Sequence, residues 1–146
     1  PVKLFFGVAN RSAAIRIPKY ATSESAKRIE FRTGDGTCNY YLAMSALLMA
    51  GLDGIRNGIH PDRESGFGPY DDNIFDWSEE KQAELMSIPA SLEEALAAVR
   101  EDHGFLLEGG VFSTELLESW EEEKMKEVVA VRNRPHPFEM NLYYSL

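Results

Sequence analysis

The segment Arg28-Ile29-Glu30-Phe31-Arg32 alternates charged and apolar residues without exception. Because successive side chains of a β-strand point to opposite faces, this segment is predicted to be a strand, with Ile29 and Phe31 facing a core and its charged residues on the other face. Residues 12–17 alternate in a similar way, and residues 2–8 form an apolar stretch. The first third of the chain is therefore predicted to form a sheet.

An apolar segment follows these predicted strands. Asn39 is a suitable N-cap for a helix that runs to about Gly51, and apolar residues occur on nearly every side of this helix. We therefore expect this helix to be buried.

Two more helices are predicted in the second half of the chain. Ser91 and Glu94 form a capping box at the start of one, and the other begins near Ser113 or Thr114 and ends before Pro135. Strands come first and helices later, without βαβ alternation, which predicts an α+β fold with mostly antiparallel strands. The positions expected to be buried are Leu92, Ala95, Leu96 and Val99 in the first helix and Leu117, Trp120, Val128 and Val131 in the second.

Length and charge restrict the class of protein. The 146 residues suffice for one ordinary domain, and 15 basic against 24 acidic residues give a net charge of −9, which disfavours binding to nucleic acid and anionic lipid. No apolar stretch reaches the ~20 residues of a membrane span. The lone Cys38 and the lack of a signal-peptide pattern predict a cytoplasmic protein, and the opening Pro1 suggests a processed or incomplete start.

Arginines gather around one carboxylate in the predicted sheet. Arg28 and Arg32 share a face with Glu30, and Arg11 and Arg16 lie beside them if the strands pair. Guanidinium groups grip phosphate or carboxylate in a bidentate manner, and a carboxylate can hold Mg²⁺ together with substrate phosphates. This pattern favours nucleotide-dependent chemistry. A solvated strand face with ordinary surface ion pairs explains the same alternation and stays open on the pattern alone.

Several segments of the chain resemble one known family in both order and spacing. The similar segments are Asn10-Arg11-Ser12-Ala13-Ala14-Ile15-Arg16-Ile17-Pro18, Ala26-Lys27-Arg28-Ile29-Glu30-Phe31-Arg32, Asn39-Tyr40-Tyr41-Leu42-Ala43, Ser91-Leu92-Glu93-Glu94-Ala95-Leu96, Gly109-Gly110-Val111-Phe112 and His136-Pro137-Phe138-Glu139. They resemble the C-terminal part of the catalytic domain of bacterial-type (type I) glutamine synthetases. The resemblance covers essentially the whole chain and favours a functional role for the arginine strand.

The resemblance implies a reaction and a role for each charged residue. In this family, glutamate and ATP react through γ-glutamyl phosphate, from which ammonia displaces phosphate to give glutamine, and Mg²⁺ or Mn²⁺ is required. By resemblance, Glu30 is a metal ligand, Arg11 contacts glutamate and the transferring phosphate, Arg16 and Arg28 contact ATP phosphates, and Arg32 holds the glutamate carboxylate. Phosphoryl transfer depends mainly on positioning and electrostatic stabilisation, which agrees with this set of residues.

The chain also departs from the family pattern. A lysine that contacts ATP has no clear counterpart, since Glu24 or Ser25 occupies its place, and Gly34-Asp35-Gly36 and Asn39-Tyr40-Tyr41 replace the usual Pro-Asp-Pro and Asn-Pro-Tyr. These changes leave room for altered nucleotide contacts. Phe75 stands where many enteric-type members carry a tyrosine that is adenylylated, so we predict no adenylylation at this position.

The resemblance further implies that residues 1–146 form only the C-terminal portion of the catalytic domain. The N-terminal β-grasp domain and the first part of the catalytic domain, with most metal ligands, would lie upstream, so the chain alone is expected to be inactive. Family members form double rings of twelve subunits, which implies a homo-oligomer and a contact between subunits at the apolar tail of Tyr143, Tyr144 and Leu146. Two alternatives are a ligase that joins glutamate to another amine, such as a polyamine, and a stand-alone non-catalytic fragment.

Overall fold

The computed structural model describes residues 2–62 and 64–144, and the chain divides into two compact units, Pro1–Ile88 and Pro89–Leu146. The strands are β1 (Phe6–Val8), β2 (Ile15–Ile17) and β3 (Glu30–Phe31), and the helices are α1 (Tyr40–Arg56), α2 (Glu79–Ala83), α3 (Leu92–Glu101), α4 (Gly104–Leu107), α5 (Thr114–Arg132) and α6 (Pro137–Tyr143). Single 3-10 turns occur at Glu24–Ala26, Ile74–Asp76 and Glu108–Gly110. The predicted α+β class, with strands before helices, is confirmed.

The strands form one sheet in the order β1-β2-β3. The β2–β3 pair is antiparallel, as predicted, but the β1–β2 pair is parallel, with Phe6 opposite Ile15, so the antiparallel prediction is wrong for that pair. Parallel neighbours usually need a long crossover. Here each strand has only three residues, so it is roughly 7 Å long, at two steps of about 3.3 Å. The connection has to return over that short distance only, and the loop of residues 9–14 is long enough to do so. The reversal begins at Ala9, whose φ is +63°.

The core of the first unit lies between the start of the chain and a segment some seventy residues later. It consists of Phe5, Ala13, Ile74 and Leu85, with Tyr70 and Trp77 packed against it. The rings of Tyr70 and Trp77 meet edge to face, with centroids 5.1 Å apart. Backbone hydrogen bonds from Leu4 to Met86 and from Ile88 to Val2 hold the two segments together.

The prediction that Ile29 and Phe31 face a core is wrong, since both side chains are exposed. Strand β3 contains only two residues and pairs on one side with β2. The core is built from Phe5 and Ala13 with residues 70–85. The alternation of charged and apolar residues at β3 therefore predicts the strand but not the burial of its apolar side chains.

Helix α1 begins as predicted but ends later. The Asn39 side chain accepts hydrogen bonds from the amides of Tyr41 and Leu42, which confirms the N-cap. The helix continues past Gly51 to Arg56, and Gly58, with a φ of +61°, follows its C-cap at Asn57.

The prediction that α1 is buried is wrong. None of its residues is buried, and Tyr41 is 86% exposed. No strand or helix among the described residues packs extensively against α1. The apolar side chains of this helix therefore form an exposed surface.

The second unit is built on α3 packed against α5. The Ser91 hydroxyl accepts a hydrogen bond from the Glu94 amide, and the Glu94 carboxylate accepts one from the Ala90 amide, which confirms the predicted cap. Two ion pairs, Arg132–Glu93 and Arg100–Glu121, join the two helices. Among residues 89–144, the buried side chains are Leu96, Leu106 and Phe112.

Burial of α5 is less than predicted. Leu117 and Val128 are half-buried, but Trp120 and Val131 are exposed. The reason is geometric, because α5 has 19 residues and α3 has ten, so α3 covers only part of its partner. The predicted inner face of α3 is likewise incomplete, since Leu96 is buried while Leu92 and Val99 are exposed.

The apolar end of the chain belongs only in part to the described residues. Tyr143 and Tyr144 lie at the end of α6 and are exposed, whereas Leu146 and Pro1, on which other predictions rest, lie outside the described residues. Among residues 2–62 and 64–144, no helix has the length and apolar character needed to cross a membrane.

Candidate functional site

An ion pair between β2 and β3 forms the centre of the predicted site. Arg16 and Glu30 are register partners, and Arg16 Nη1 lies 3.0 Å from Glu30 Oε2. Both side chains are half-buried. Arg16 Nε is buried and makes no hydrogen bond with any atom of the residues that the structure describes. A buried donor of this kind calls for a water or an anion as its acceptor, and a phosphate or carboxylate oxygen fits that requirement.

A second contact links Arg11 and Arg32, two more of the predicted arginines. Arg32 Nη1 donates a hydrogen bond to the backbone oxygen of Arg11, and the Arg32 amide donates to the Ala14 oxygen at 2.9 Å, continuing the β2–β3 pairing. The Arg11 side chain itself is exposed. The backbone of Arg11 is thus held at its carbonyl while its guanidinium remains accessible to a ligand.

Arg28 occupies a different environment. It lies outside β3, and its guanidinium donates to the Tyr20 hydroxyl at 2.8 Å and to the Ala26 oxygen at 3.2 Å. The same guanidinium sits 5.2 Å from the centroid of the Tyr20 ring, within the range of a cation–π interaction. The structure therefore brings Arg16 to Glu30 and Arg32 to Arg11, but it holds Arg28 against Tyr20. Sequence reasoning missed Tyr20, which stands in a polar link without a periodic pattern.

An open pocket of about 830 Å³ adjoins Arg11. Its lining includes Asn10, Arg11 and Ser12 from one segment of the chain and Asp71 and Phe75 from another. Sequence reasoning selected Arg11 and Phe75 but gave no functional role to Asn10 or Asp71. In the sequence, the only indication of a role for Asn10 is its position next to Arg11. Asp71 stands in a Gly- and Pro-rich stretch that contains no motif.

The described residues do not form a complete metal site. Among residues 2–62 and 64–144, no group of three or more His, Cys, Asp or Glu side chains is close enough to share an ion. Glu30 offers one carboxylate, and that carboxylate is paired with Arg16. A divalent ion at Glu30 would need further ligands from substrate phosphates or from residues beyond these.

The family of the chain follows from a comparison with known proteins. The family model described as the catalytic domain of glutamine synthetase matches residues 1–143. The chain belongs to the glutamine synthetase family. The predicted resemblance is thereby confirmed.

Relatives within the glutamine synthetase family are similar along the whole chain. The glutamine synthetase of Neisseria gonorrhoeae is 51% identical over 146 residues, and that of Microchaete diplosiphon is 48% identical over 146 residues. The match covers 100% and 99% of this chain, respectively, but 30% of each relative. The chain therefore spans about a third of the length of the curated glutamine synthetases that it matches.

The fold agrees with this family. A cryo-electron microscopy structure of Plasmodium falciparum glutamine synthetase superposes with a TM-score of 0.77 at 28% identity. The superposition covers 98% of this chain and 34% of that one. The individual roles of Arg11, Arg16, Arg28, Arg32 and Glu30 stay predictions.

Proposed function

We propose that this chain supplies the arginine-rich part of a glutamine synthetase active site and takes part in ATP-dependent synthesis of glutamine from glutamate and ammonia. In this reaction a γ-carboxylate oxygen of glutamate attacks the terminal phosphorus of ATP, and ADP leaves. Ammonia then attacks the γ-carbon of the acyl phosphate, and phosphate leaves. The observation that carries the proposal is the free, buried Nε donor of Arg16 beside its ion pair with Glu30.

Arginine is suited to this step for electrostatic reasons. Negative charge is spread over the oxygens of the transferred phosphoryl group, and fixed cationic donors stabilise it without reorganisation. Arg16 offers its free Nε to an ATP phosphate. Arg11 extends into the adjoining pocket, where it meets glutamate and the transferring phosphate, and Arg32 binds the glutamate carboxylate next to it.

Arg28 is proposed to bind a second ATP phosphate while it keeps its contact with Tyr20. The hydrogen bonds to the Tyr20 hydroxyl and the Ala26 oxygen and the cation–π contact with Tyr20 hold the guanidinium, which leaves other N–H groups for an anion. Tyr20 is thus proposed to orient Arg28, a role that suits a chain in which the family's nearby lysine is replaced.

The metal ion of the reaction is proposed to be shared. Glu30 would hold Mg²⁺ or Mn²⁺ together with ligands from the rest of the catalytic domain, whose N-terminal portion and β-grasp domain would precede this C-terminal portion. A bound divalent ion supplies neutralisation of phosphate charge. Because one carboxylate cannot hold a catalytic metal pair, the chain alone is proposed to be inactive and, in isolation, to act only as a non-catalytic fragment.

The chain is further proposed to work within a cytoplasmic homo-oligomer. The exposed apolar side chains of α6, Phe138, Met140, Leu142 and Tyr143, form a surface that would be covered by another subunit. The absence of adenylylation at Phe75 stays a prediction, which the intact mass of the purified protein checks.

The proposed function is tested in a chimera in which this chain replaces the matching segment of the Neisseria gonorrhoeae glutamine synthetase. The assay is formation of γ-glutamyl hydroxamate from glutamate, ATP, Mg²⁺ and hydroxylamine. Arg16→Gln and Glu30→Gln are expected to lower activity by about 100-fold or more, as removal of transition-state donors does. The matched control is Lys19→Gln, which removes an exposed positive charge outside the site.

The chain without the added portion is expected to give no hydroxamate. A chimera that assembles like its parent but has no activity would contradict the proposed function. Full activity of Arg16→Gln would contradict the role given to that residue.

A further inference from the structure

The loop that carries Arg11 is held by its neighbour, Asn10. Asn10 is only 9% exposed, although it is polar and lies in a loop. Its Nδ2 donates to the backbone oxygens of Tyr70 at 2.9 Å and Asp72 at 3.0 Å. Its Oδ1 accepts hydrogen bonds from the Ser12 amide at 2.9 Å and the Ser12 hydroxyl at 2.7 Å. Both the amide nitrogen and the amide oxygen of Asn10 are thus fully used.

The backbone beside Asn10 runs unusually close to residues 70–72. The Val8 amide donates to Asp71 Oδ1 at 2.6 Å, and the Tyr70 amide donates to the Phe6 oxygen at 3.0 Å. A Cβ added at Gly7 would lie 2.3 Å from the Tyr70 oxygen, so only glycine permits this approach. We call this set of contacts between residues 6–12 and 70–72 the loop clamp.

The conformation of Ala9 shows that the loop clamp imposes a specific path. Its φ of +63° is unfavourable for a residue that has a side chain, and such a conformation persists only where the surroundings enforce it. The enforcing contacts lie on both sides of Ala9, at Val8 and at Asn10. Strain of this kind is concentrated at sites where a particular geometry matters.

Arg11 is therefore fixed at its backbone and free at its side chain. Asn10 bonds across Arg11 to Ser12, and Arg32 bonds to the Arg11 oxygen. The Arg11 side chain is exposed and lines the open pocket. This combination suits a cation that must meet an anionic ligand in one place, because a shift of about 1 Å at a reacting group can cost 100-fold in rate.

We propose that Asn10 is the positioning residue for Arg11, and that it sets where the Arg11 guanidinium meets the transferring phosphate and glutamate. This inference rests on the proposed function, since it concerns how Arg11 performs its role there. Serine at position 10 is too short to reach both carbonyls of residues 70 and 72. Aspartate lacks the two N–H donors, and its charge would face those carbonyl oxygens.

A double-mutant cycle in the chimera described above distinguishes positioning from simple structural support. Asn10→Ser, Arg11→Ala and the double variant are compared by kcat and KM in the hydroxamate assay. Asn10→Ser is expected to raise the KM for glutamate and to lower kcat/KM about tenfold or more, with the KM for hydroxylamine unchanged. In the Arg11→Ala background the same substitution should change kcat/KM by less than about twofold.

The control is Asn57→Ser, which removes an exposed side-chain amide at the end of α1, whose Nδ2 donates to Asp53 Oδ1. It should leave both constants at the wild-type values. Equal losses from Asn10→Ser in the two backgrounds would overturn the proposal, because the substitution would then act independently of Arg11. If Asn10→Ser fails to assemble, Ser12→Ala, which removes one of the Asn10 bonds, is used in the same cycle.

Hydrogen exchange reports the loop clamp without any need for activity. In the wild-type chimera without substrate, the Ser12 and Val8 amides should be protected, and Asn10→Ser should accelerate exchange at residues 8–12. Free exchange at Ser12 in the wild type would overturn the positioning role. An inactive wild-type chimera with a protected Ser12 amide would instead count against the proposed function, so the two failures are distinguishable.

Discussion

Helix α1 and the loop around Asn10 show opposite relations between polarity and burial. The apolar helix has no buried residue, and its Tyr41 is 86% exposed, whereas the polar Asn10 is 9% exposed. Asn10 is covered because residues 70–72 approach it closely and satisfy its hydrogen bonds. Apolar composition makes a surface suitable for burial, but a packing partner determines whether it is buried.

Among residues 2–62 and 64–144, no strand or helix packs extensively against α1, which is consistent with the length of the chain. Exposed large apolar residues on this helix include Tyr40, Tyr41, Met44, Leu48 and Ile55. A continuous apolar surface of this kind is unusual on a free-standing protein and marks an interaction surface. Since the chain spans about a third of its glutamine synthetase relatives, the rest of the catalytic domain or another subunit is the proposed cover for α1.

Two leucines give the largest expected contrast between these regions. Leu85 lies in the core and is 4% exposed, whereas Leu48 lies on α1 and is 65% exposed. Leu85→Ala should lower the free energy of unfolding by about 2–5 kcal/mol, and Leu48→Ala by less than about 0.5 kcal/mol. Urea unfolding of the purified chain, followed by circular dichroism, measures both. Similar losses for the two variants would mean that α1 is packed after all.

Two glycines sharpen the comparison at the level of the backbone. Gly7→Ala places a Cβ 2.3 Å from the Tyr70 oxygen and 2.8 Å from the Asn10 Cβ, which should cost about 1–3 kcal/mol because the loop clamp must open. Gly51→Ala on α1 meets nothing within 4 Å and should stabilise the helix by up to about 1 kcal/mol. Thermal unfolding of the two variants should therefore shift in opposite directions, and a neutral Gly7→Ala would contradict the close approach.

The sequence predicted the local features of this fold better than its packing. The caps at Asn39 and Ser91 were predictable because a cap depends on residues within one turn. The parallel pairing of β1 with β2 was not, because it depends on the reversal at Ala9, a residue type that rarely adopts a positive φ.

In the candidate site, too, some contacts could be predicted from the sequence and others could not. Arg16 was predicted to lie beside Glu30 if their strands pair, and the register of β2 and β3 and the 3.0 Å contact agree with that. The support for Arg11 was not predicted, since Asn10 bonds to residues sixty positions away. Arg28 was expected beside Glu30, but its contact with Tyr20 depends on the path of the link between β2 and β3.

The cap of α3 provides a smaller effect that extends the comparison to the second unit. Ser91→Ala removes the acceptor of the Glu94 amide and should cost about 1 kcal/mol. The control is Ser119→Ala, in the interior of α5, where alanine has the higher helix propensity and slight stabilisation is expected. Guanidinium unfolding measures both variants. A neutral Ser91→Ala would show that α3 depends on its contact with α5 and not on its local cap.

The ion pair between α3 and α5 is expected to give the smallest effect, and one that depends on pH. The hydrogen bond from Arg100 lowers the pKa of the Glu121 carboxyl below its ordinary value of 4.5. A carboxyl whose pKa is lowered by folding adds stability above its unfolded pKa and loses that stability as the pH falls through its folded pKa. The difference in stability between wild type and Glu121→Gln should thus be present at pH 7 and disappear in acid below pH 4.5.

Thermal unfolding between pH 7 and pH 2.5 checks this sign, with Glu118→Gln on the same helix as the control. The pair is exposed to solvent, so added salt should reduce the difference at pH 7 through screening. A difference that grows in acid would mean that Glu121 is stabilised as the neutral acid and that the ion pair does not hold α3 against α5. In that case α3 and α5 are held together by apolar side chains such as Leu96, which is buried between the elements of the second unit. The apolar side chains of α1 have no such role, because none of them is buried.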